Sequence, residues 1–92
     1  MRVIYKYTFE DSDYMEILAH VERFLKADIQ NGKMVVWAEV DPGVVPTHYA
    51  LYIMPTGARL PASFRYIDTV PELDGQLIWH IYYENLDLYG DW

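Results

Sequence analysis

Residues 23–40, RFLKADIQNGKMVVWAEV, decide the fold. At their centre stands Asn31-Gly32, and a two-residue type I′ hairpin loop needs φ > 0 at both central positions, which Asn and Gly adopt at the least steric cost. The dipeptide therefore joins two antiparallel strands, 23–30 and 33–40. In the register such a loop sets, Leu25, Ala27 and Ile29 share a face with Met34, Val36 and Ala38, while Lys26 lies opposite Trp37 and Asp28 opposite Val35. One face of this hairpin is core and the other is mixed.

Upstream, residues 3–9 alternate, with Val3, Tyr5, Tyr7 and Phe9 on one side and Ile4, Lys6 and Thr8 on the other, as in a half-buried strand. Downstream, Asp41-Pro42-Gly43 and Pro46 make a stiff loop. Residues 47–54 then alternate Tyr49, Leu51 and Ile53 against His48, Ala50, Tyr52 and Met54. Pro55 and Pro61 bound an interruption, because proline cannot donate to a ladder. Residues 63–70 and 76–84 read as two more strands, joined through Pro71-Glu72-Leu73-Asp74-Gly75.

Residues 13–22 read as a helix, with Asp13 and Glu16 as a capping box and Ile17, Leu18, Val21, Phe24 and Leu25 at helical spacing. The competing reading makes 14–18 a second strand. The expected architecture is mainly β, or α+β if that one short helix forms: a small antiparallel barrel or sandwich of five or six strands over residues 1–84. An acidic, aromatic tail follows at 85–92, where Leu86, Leu88, Tyr89 and Trp92 either fold back on the sheet or mark an interface.

With 92 residues, 52% hydrophobic and 23% charged, the chain makes one folded domain, too short for two cores. The absence of cysteine excludes disulfides, thiolate metal sites and cysteine nucleophiles, and implies no oxidising compartment, so a cytoplasmic location is expected. No apolar run approaches the roughly 20 residues of a membrane span, and no membrane association is expected. The only serines, Ser12 and Ser63, stand in no glycine elbow, and His20, His48 and His80 show no metal-ligand spacing, so no enzyme, cofactor or metal is expected.

The net charge of −7 is unevenly placed: residues 66–92 hold six acids and no base, while all seven bases lie in residues 1–65. Duplex nucleic acid, whose binding needs several cations against phosphates, is thereby disfavoured. A small nucleotide needs only one or two.

Lys6-Tyr7, Gln30-Asn31-Gly32, the run Val36-Trp37-Ala38-Glu39-Val40-Asp41-Pro42, Thr56-Gly57, Tyr66-Ile67-Asp68-Thr69-Val70 and Trp79-His80-Ile81-Tyr82 together give a further clue. In this order the chain resembles a family of small uncharacterised proteins of tailed phages and prophages, a domain of unknown function. It departs from that pattern at Ala58-Arg59, where such relatives have a histidine close behind Thr-Gly. The resemblance implies a nonessential accessory protein acting in the host cell cytoplasm against host defence, by binding a host protein, by mimicking DNA or by sequestering a nucleotide immune signal.

The candidate binding residues follow from chemistry. Thr56, Gly57 and Arg59 offer a hydroxyl, free backbone N–H groups and a guanidinium to an anion. Arg65 is a second cation, Trp37 a stacking face and His80 a hydrogen-bonding group. The leading expectation is a non-enzymatic sponge for a small nucleotide-like ligand. The alternative is an acidic protein–protein inhibitor or DNA mimic, with residues 66–92 docked on a basic surface. Edge strands of so small a sheet also invite pairing with a second copy, so a homo-oligomer is expected.

Overall fold

The computed structural model describes residues 1–89. Seven strands run in chain order: β1 (Val3–Thr8), β2 (Tyr14–Ala19), β3 (Val21–Gln30), β4 (Lys33–Val40), β5 (Thr47–Pro55), β6 (Arg65–Glu72) and β7 (Leu77–Asn85), followed by a 3-10 turn, Leu86–Tyr89. They form two antiparallel sheets, β1-β4-β3 and β2-β5-β7-β6. The sheets face each other as a sandwich and do not close into a barrel.

The hairpin at Asn31-Gly32 forms as its sequence dictates, with φ of 52° and 78° at the two turn residues. Lys26 pairs with Trp37 and Asp28 with Val35, as that turn requires. Ala27 and Ile29 share the inner face with Met34 and Val36. Leu25 does not join them: a register shift between Phe24 and Lys26 turns it outward, and Phe24 takes the place opposite Ala38.

The helix expected over residues 13–22 is replaced by β2 and the start of β3. Burial there has period two, with Ile17 and Ala19 buried and Glu16 and Leu18 exposed. The expected capping box is absent as well: Ser12 Oγ accepts the Tyr14 N–H at 3.2 Å, and Glu16 accepts the Tyr14 hydroxyl at 2.6 Å. The backbone of β2 pairs instead with β5, from Tyr14–Tyr52 to Ala19–Thr47. That strand raises the count from five or six to seven.

The last two strands are also displaced from their expected bounds. Strand β6 runs through Pro71 to Glu72, a position proline tolerates because β6 is an edge strand. Strand β7 ends at Asn85, and the turn after it is tied to β5, where Asp87 accepts the His48 N–H at 3.0 Å. Trp92 lies outside the described residues.

Both sheets contribute to one core, in which Val36, Leu51 and Ile81 are fully buried among Phe9, Ile17, Met34 and Val70. Phe24, Tyr49 and Tyr83 meet edge to face or tilted beside it, with ring centroids 4.6–5.8 Å apart. One flank of the sandwich is fastened by a side chain. The hairpin ladder directs the Lys26, Asp28 and Gln30 N–H groups to β4 and those of Ala27 and Ile29 away from it. A second register shift, between Tyr66 and Asp68 on β6, brings the Asp68 carboxylate to that edge. It accepts the Ala27 N–H at 2.9 Å and the Thr69 N–H at 2.9 Å, with Lys26 Nζ at 3.9 Å.

Replacing Asp68 by alanine leaves the Ala27 N–H, on a residue 1% exposed, without its acceptor. The expected cost is about 1–3 kcal/mol, read as a lower urea midpoint at unchanged slope. Asp68→Asn keeps an acceptor oxygen and should lose less. An unchanged midpoint in Asp68→Ala would show that the seam contributes no stability.

Candidate functional site

The outer face of the four-stranded sheet is unusually aromatic. Because side chains alternate along a strand, the register places Tyr14 of β2 beside Tyr52 of β5, Tyr52 beside Tyr82 of β7, and Tyr82 beside Tyr66 of β6. One tyrosine from every strand thus lies in a single row. The two outer pairs of rings meet directly, 5.3 Å apart at Tyr14–Tyr52 and 5.6 Å at Tyr66–Tyr82, both near edge to face, while Phe64 links the middle pair, 6.2 Å from Tyr82. Phe64, in the segment leading into β6, lies flat on Tyr52 with centroids 4.3 Å apart and planes at 23°. Tyr66, at one end of the row, is 56% exposed.

Beside this row stands His80. Its Nε2 lies 2.9 Å from Thr56 Oγ1 and its Nδ1 3.2 Å from Thr69 Oγ1, which in turn is 2.7 Å from the Tyr66 hydroxyl. A neutral imidazole has one donor and one acceptor nitrogen, so the two threonines take opposite roles toward it. His80 and Tyr82 form one wall of a cavity of about 190 Å³ whose other wall is the loop from Met54 to Leu60. Gly57, at φ 92°, lines that loop in a conformation few other residues adopt.

Of the candidate binding residues, Thr56, Gly57 and His80 are brought together at this cavity. Arg59 belongs to the same exposed loop without lining the cavity. Arg65 turns its guanidinium to its own backbone, donating to the Ala62 and Phe64 carbonyls at 2.9 and 3.3 Å. Trp37 lies on the other sheet, between Lys6 of β1 and Lys26 of β3. The stacking surface near His80 comes from tyrosines that no motif marks, and only the registers of three strand pairs align them.

The row also carries charge. Glu84 accepts the Tyr52 hydroxyl at 3.0 Å and the Ser63 hydroxyl at 2.6 Å. Burial first, then this hydrogen bond and the carboxylate's charge, push the Tyr52 phenol up to about 12. The hydrogen bond to Glu16 likewise raises Tyr14.

A larger cleft, of about 400 Å³, opens between the sheets at the hairpin end. Its floor is apolar, with Ile29, Met34, Ile53 and Trp79, and its rim carries Asp11, Asp13 and Glu72 together with Lys33. Glu72 accepts the Trp79 indole N–H at 2.8 Å, and Lys33 is paired with Glu10. The histidines do not converge: His20 contacts Glu22 and His48 contacts Asp87, while His80 sits between its threonines. Among the described residues no cluster of histidine and carboxylate side chains is placed to hold a metal ion.

Residues 1–88 match the model of a family described as a domain of unknown function, DUF7352. The chain belongs to that family. Its match runs through β7 into the turn that follows, so the strands that build the tyrosine row and His80 lie within the DUF7352 domain. No curated protein and no solved structure matches the chain.

The raised Tyr52 phenol has a measurable consequence. The folded domain holds this proton more tightly than the unfolded chain, whose tyrosines titrate near 10. The stability it contributes is therefore whole below pH about 10 and is lost as pH rises through about 12. Absorbance titration at 295 nm should show a late-ionising tyrosine that disappears in Tyr52→Phe. The same variant should flatten the fall of stability above pH 10, and an identical fall in both proteins would refute the assignment.

Proposed function

We propose that this DUF7352 domain is a non-enzymatic binding protein that takes up a small nucleotide-like ligand on the outer face of its four-stranded sheet. The observation that carries this reading is the in-register row Tyr14, Tyr52, Tyr82 and Tyr66 running past His80. Phe64 lying flat on Tyr52 is a local precedent for a planar ring on that surface. A base stacked on one such ring contributes about 1–3 kcal/mol. Thr56 and Thr69, whose hydroxyls are positioned by His80, keep acceptor lone pairs for the edge of a base, and His80 reaches it by exchanging one threonine bond. Arg59 and the backbone around Gly57 are the groups for an anionic part of the ligand.

In the phage setting that the sequence resemblance implies, uptake of this kind removes an immune signal from the host cytoplasm. It requires no cofactor and no covalent step. Among the described residues no helix is long and apolar enough to cross a membrane.

The second reading, an acidic inhibitor or DNA mimic docking on a basic host protein, is favoured by the 400 Å³ cleft with its rim of Asp11, Asp13 and Glu72. An apolar floor under carboxylates suits a lysine or arginine side chain, whose stem is apolar and whose head is charged.

The two readings separate in a thermal-shift screen against cyclic dinucleotides, ADP-ribose and a short arginine-rich peptide. A ligand at 100 times its dissociation constant stabilises the fold by about 2.7 kcal/mol. We expect a shift with a nucleotide that is lost in Tyr66→Ala and His80→Ala and kept in Asp11→Asn. A shift with the peptide alone, weakened by salt and by Asp11→Asn, would replace the first reading by the second.

A further inference from the structure

The two flanks of the sandwich are finished differently. At the β3–β6 flank the outward amides are capped by carboxylates, Ala27 by Asp68 and Ile29 by Asp28 at 2.8 Å, a device that blocks ladder extension. At the other flank lie the free edges of both sheets, β1 and β2. The bond from the Phe9 N–H to the Met34 carbonyl, 2.9 Å, fixes which residues of β1 face β4. By alternation it leaves the N–H and C=O of Ile4, Lys6 and Thr8 on the open edge. The bond from the Ile53 N–H to the Asp13 carbonyl, also 2.9 Å, does the same for β2 and leaves Tyr14, Glu16 and Leu18 outward. Ser12 takes the Tyr14 N–H, and the backbones of Ile4, Lys6, Glu16 and Leu18 have no further ladder partner among the described residues.

Exposed apolar side chains lie on the same flank. Ile4 is 65% and Leu18 59% exposed, and Tyr5 and Leu18 line one groove with Val44 of the β4–β5 loop. Because Tyr5 and Leu18 share that groove, the start of β1 and the end of β2 lie at one end of the flank, and the 9–13 connection joins the strands at the other.

We propose that this flank binds a second copy of the chain, β1 of each protomer pairing antiparallel with β2 of its partner about a two-fold axis parallel to the strands. Such an axis exchanges the two layers, so each three-stranded sheet continues into the partner's four-stranded sheet. Open-edge parity admits registers two residues apart, and because the axis preserves level along the strands, the shared groove of Tyr5 and Leu18 selects the one with Ile4 opposite Leu18, Lys6 opposite Glu16 and Thr8 opposite Tyr14. The apolar pair and the opposite charges meet their complements, whereas β1 against β1 centred on Lys6 would oppose lysine to lysine, and β2 against β2 centred on Glu16 would oppose glutamate to glutamate. The contact is isologous and closes as a dimer, leaving as sheet edges only β3 and β6, on the flank where Asp68 and Asp28 take the Ala27 and Ile29 amides. It also carries Lys6 and Trp37 of one protomer onto the face that holds the partner's tyrosine row, with strands about 4.8 Å apart. The proposal stands on the two edges alone and does not depend on the identity of any ligand.

Sedimentation equilibrium of the full chain tests it. The wild type should sediment at twice the chain mass of 10.9 kDa. Lys6→Glu and Glu16→Lys each place like charges at both symmetric contacts and should weaken the dimer about tenfold or more. Both residues are exposed, so far-UV circular dichroism should remain unchanged. The double variant, and an equimolar mixture of the two single variants, restore opposite charges and should recover association. A wild type that stays at 10.9 kDa at 100 μM overturns the proposal. So does a double variant that dissociates as readily as either single one, because the pairing of Lys6 with Glu16 would then be wrong.

Discussion

The carboxylate of Asp68 on the amide of Ala27 is the contact through which two separate sheets become one structure at the β3–β6 flank. Strand β3 has a partner on one side only, and its outward amides would otherwise form an open edge next to β6. A β-strand edge in that position either recruits another chain or must be satisfied locally. Here it is satisfied by a side chain that the β6 register shift delivers, while Lys26 nearby offsets the charge. Among the described residues the opposite flank has no such carboxylate. The asymmetry between a capped and an uncapped flank governs how the molecule meets its surroundings.

The same economy applies to the acidity of the C-terminal third. Read as charge, residues 66–92 carry six acids and no base. Four of them accept hydrogen bonds within the domain: Asp68 from Ala27 and Thr69, Glu72 from Trp79, Glu84 from Tyr52 and Ser63, and Asp87 from His48. Much of what looks like a docking charge is wiring between strands. The acidic rim that does face an apolar cleft draws Asp11 and Asp13 from the β1–β2 connection.

How far the sequence reveals the fold depends on how local each determinant is. The Asn31-Gly32 turn is local, and it correctly sets the pairing of Lys26 with Trp37 and Asp28 with Val35. The bulge that expels Leu25 is not local, because it answers the need of Phe24 to reach Tyr49 and Tyr83 across the core. Residues 13–22 carry apolar positions compatible with both periods, and the decision for strand comes from β5, whose free edge they complete. The candidate site divides in the same way. Thr56, Gly57 and His80 meet because β5 and β7 are neighbours, with Met54 opposite His80, and the loop follows directly. Trp37 was separated from them by a choice of sheet, and the tyrosine row was hidden because each member is an unremarkable alternating residue in its own strand. Only the three registers bring the four into line.

Hydrogen exchange at a single amide probes the seam most directly. The Ala27 N–H points away from its own hairpin ladder, and among the described residues the Asp68 carboxylate is its hydrogen-bond acceptor. Measured by nitrogen-resolved NMR, it should exchange as slowly as the amides of Lys26 and Asp28 that bond to β4, and it should lose that protection in Asp68→Ala while theirs persists. An Ala27 amide that exchanges at the rate of a free edge in the wild type would contradict the account, because the flank would then be open.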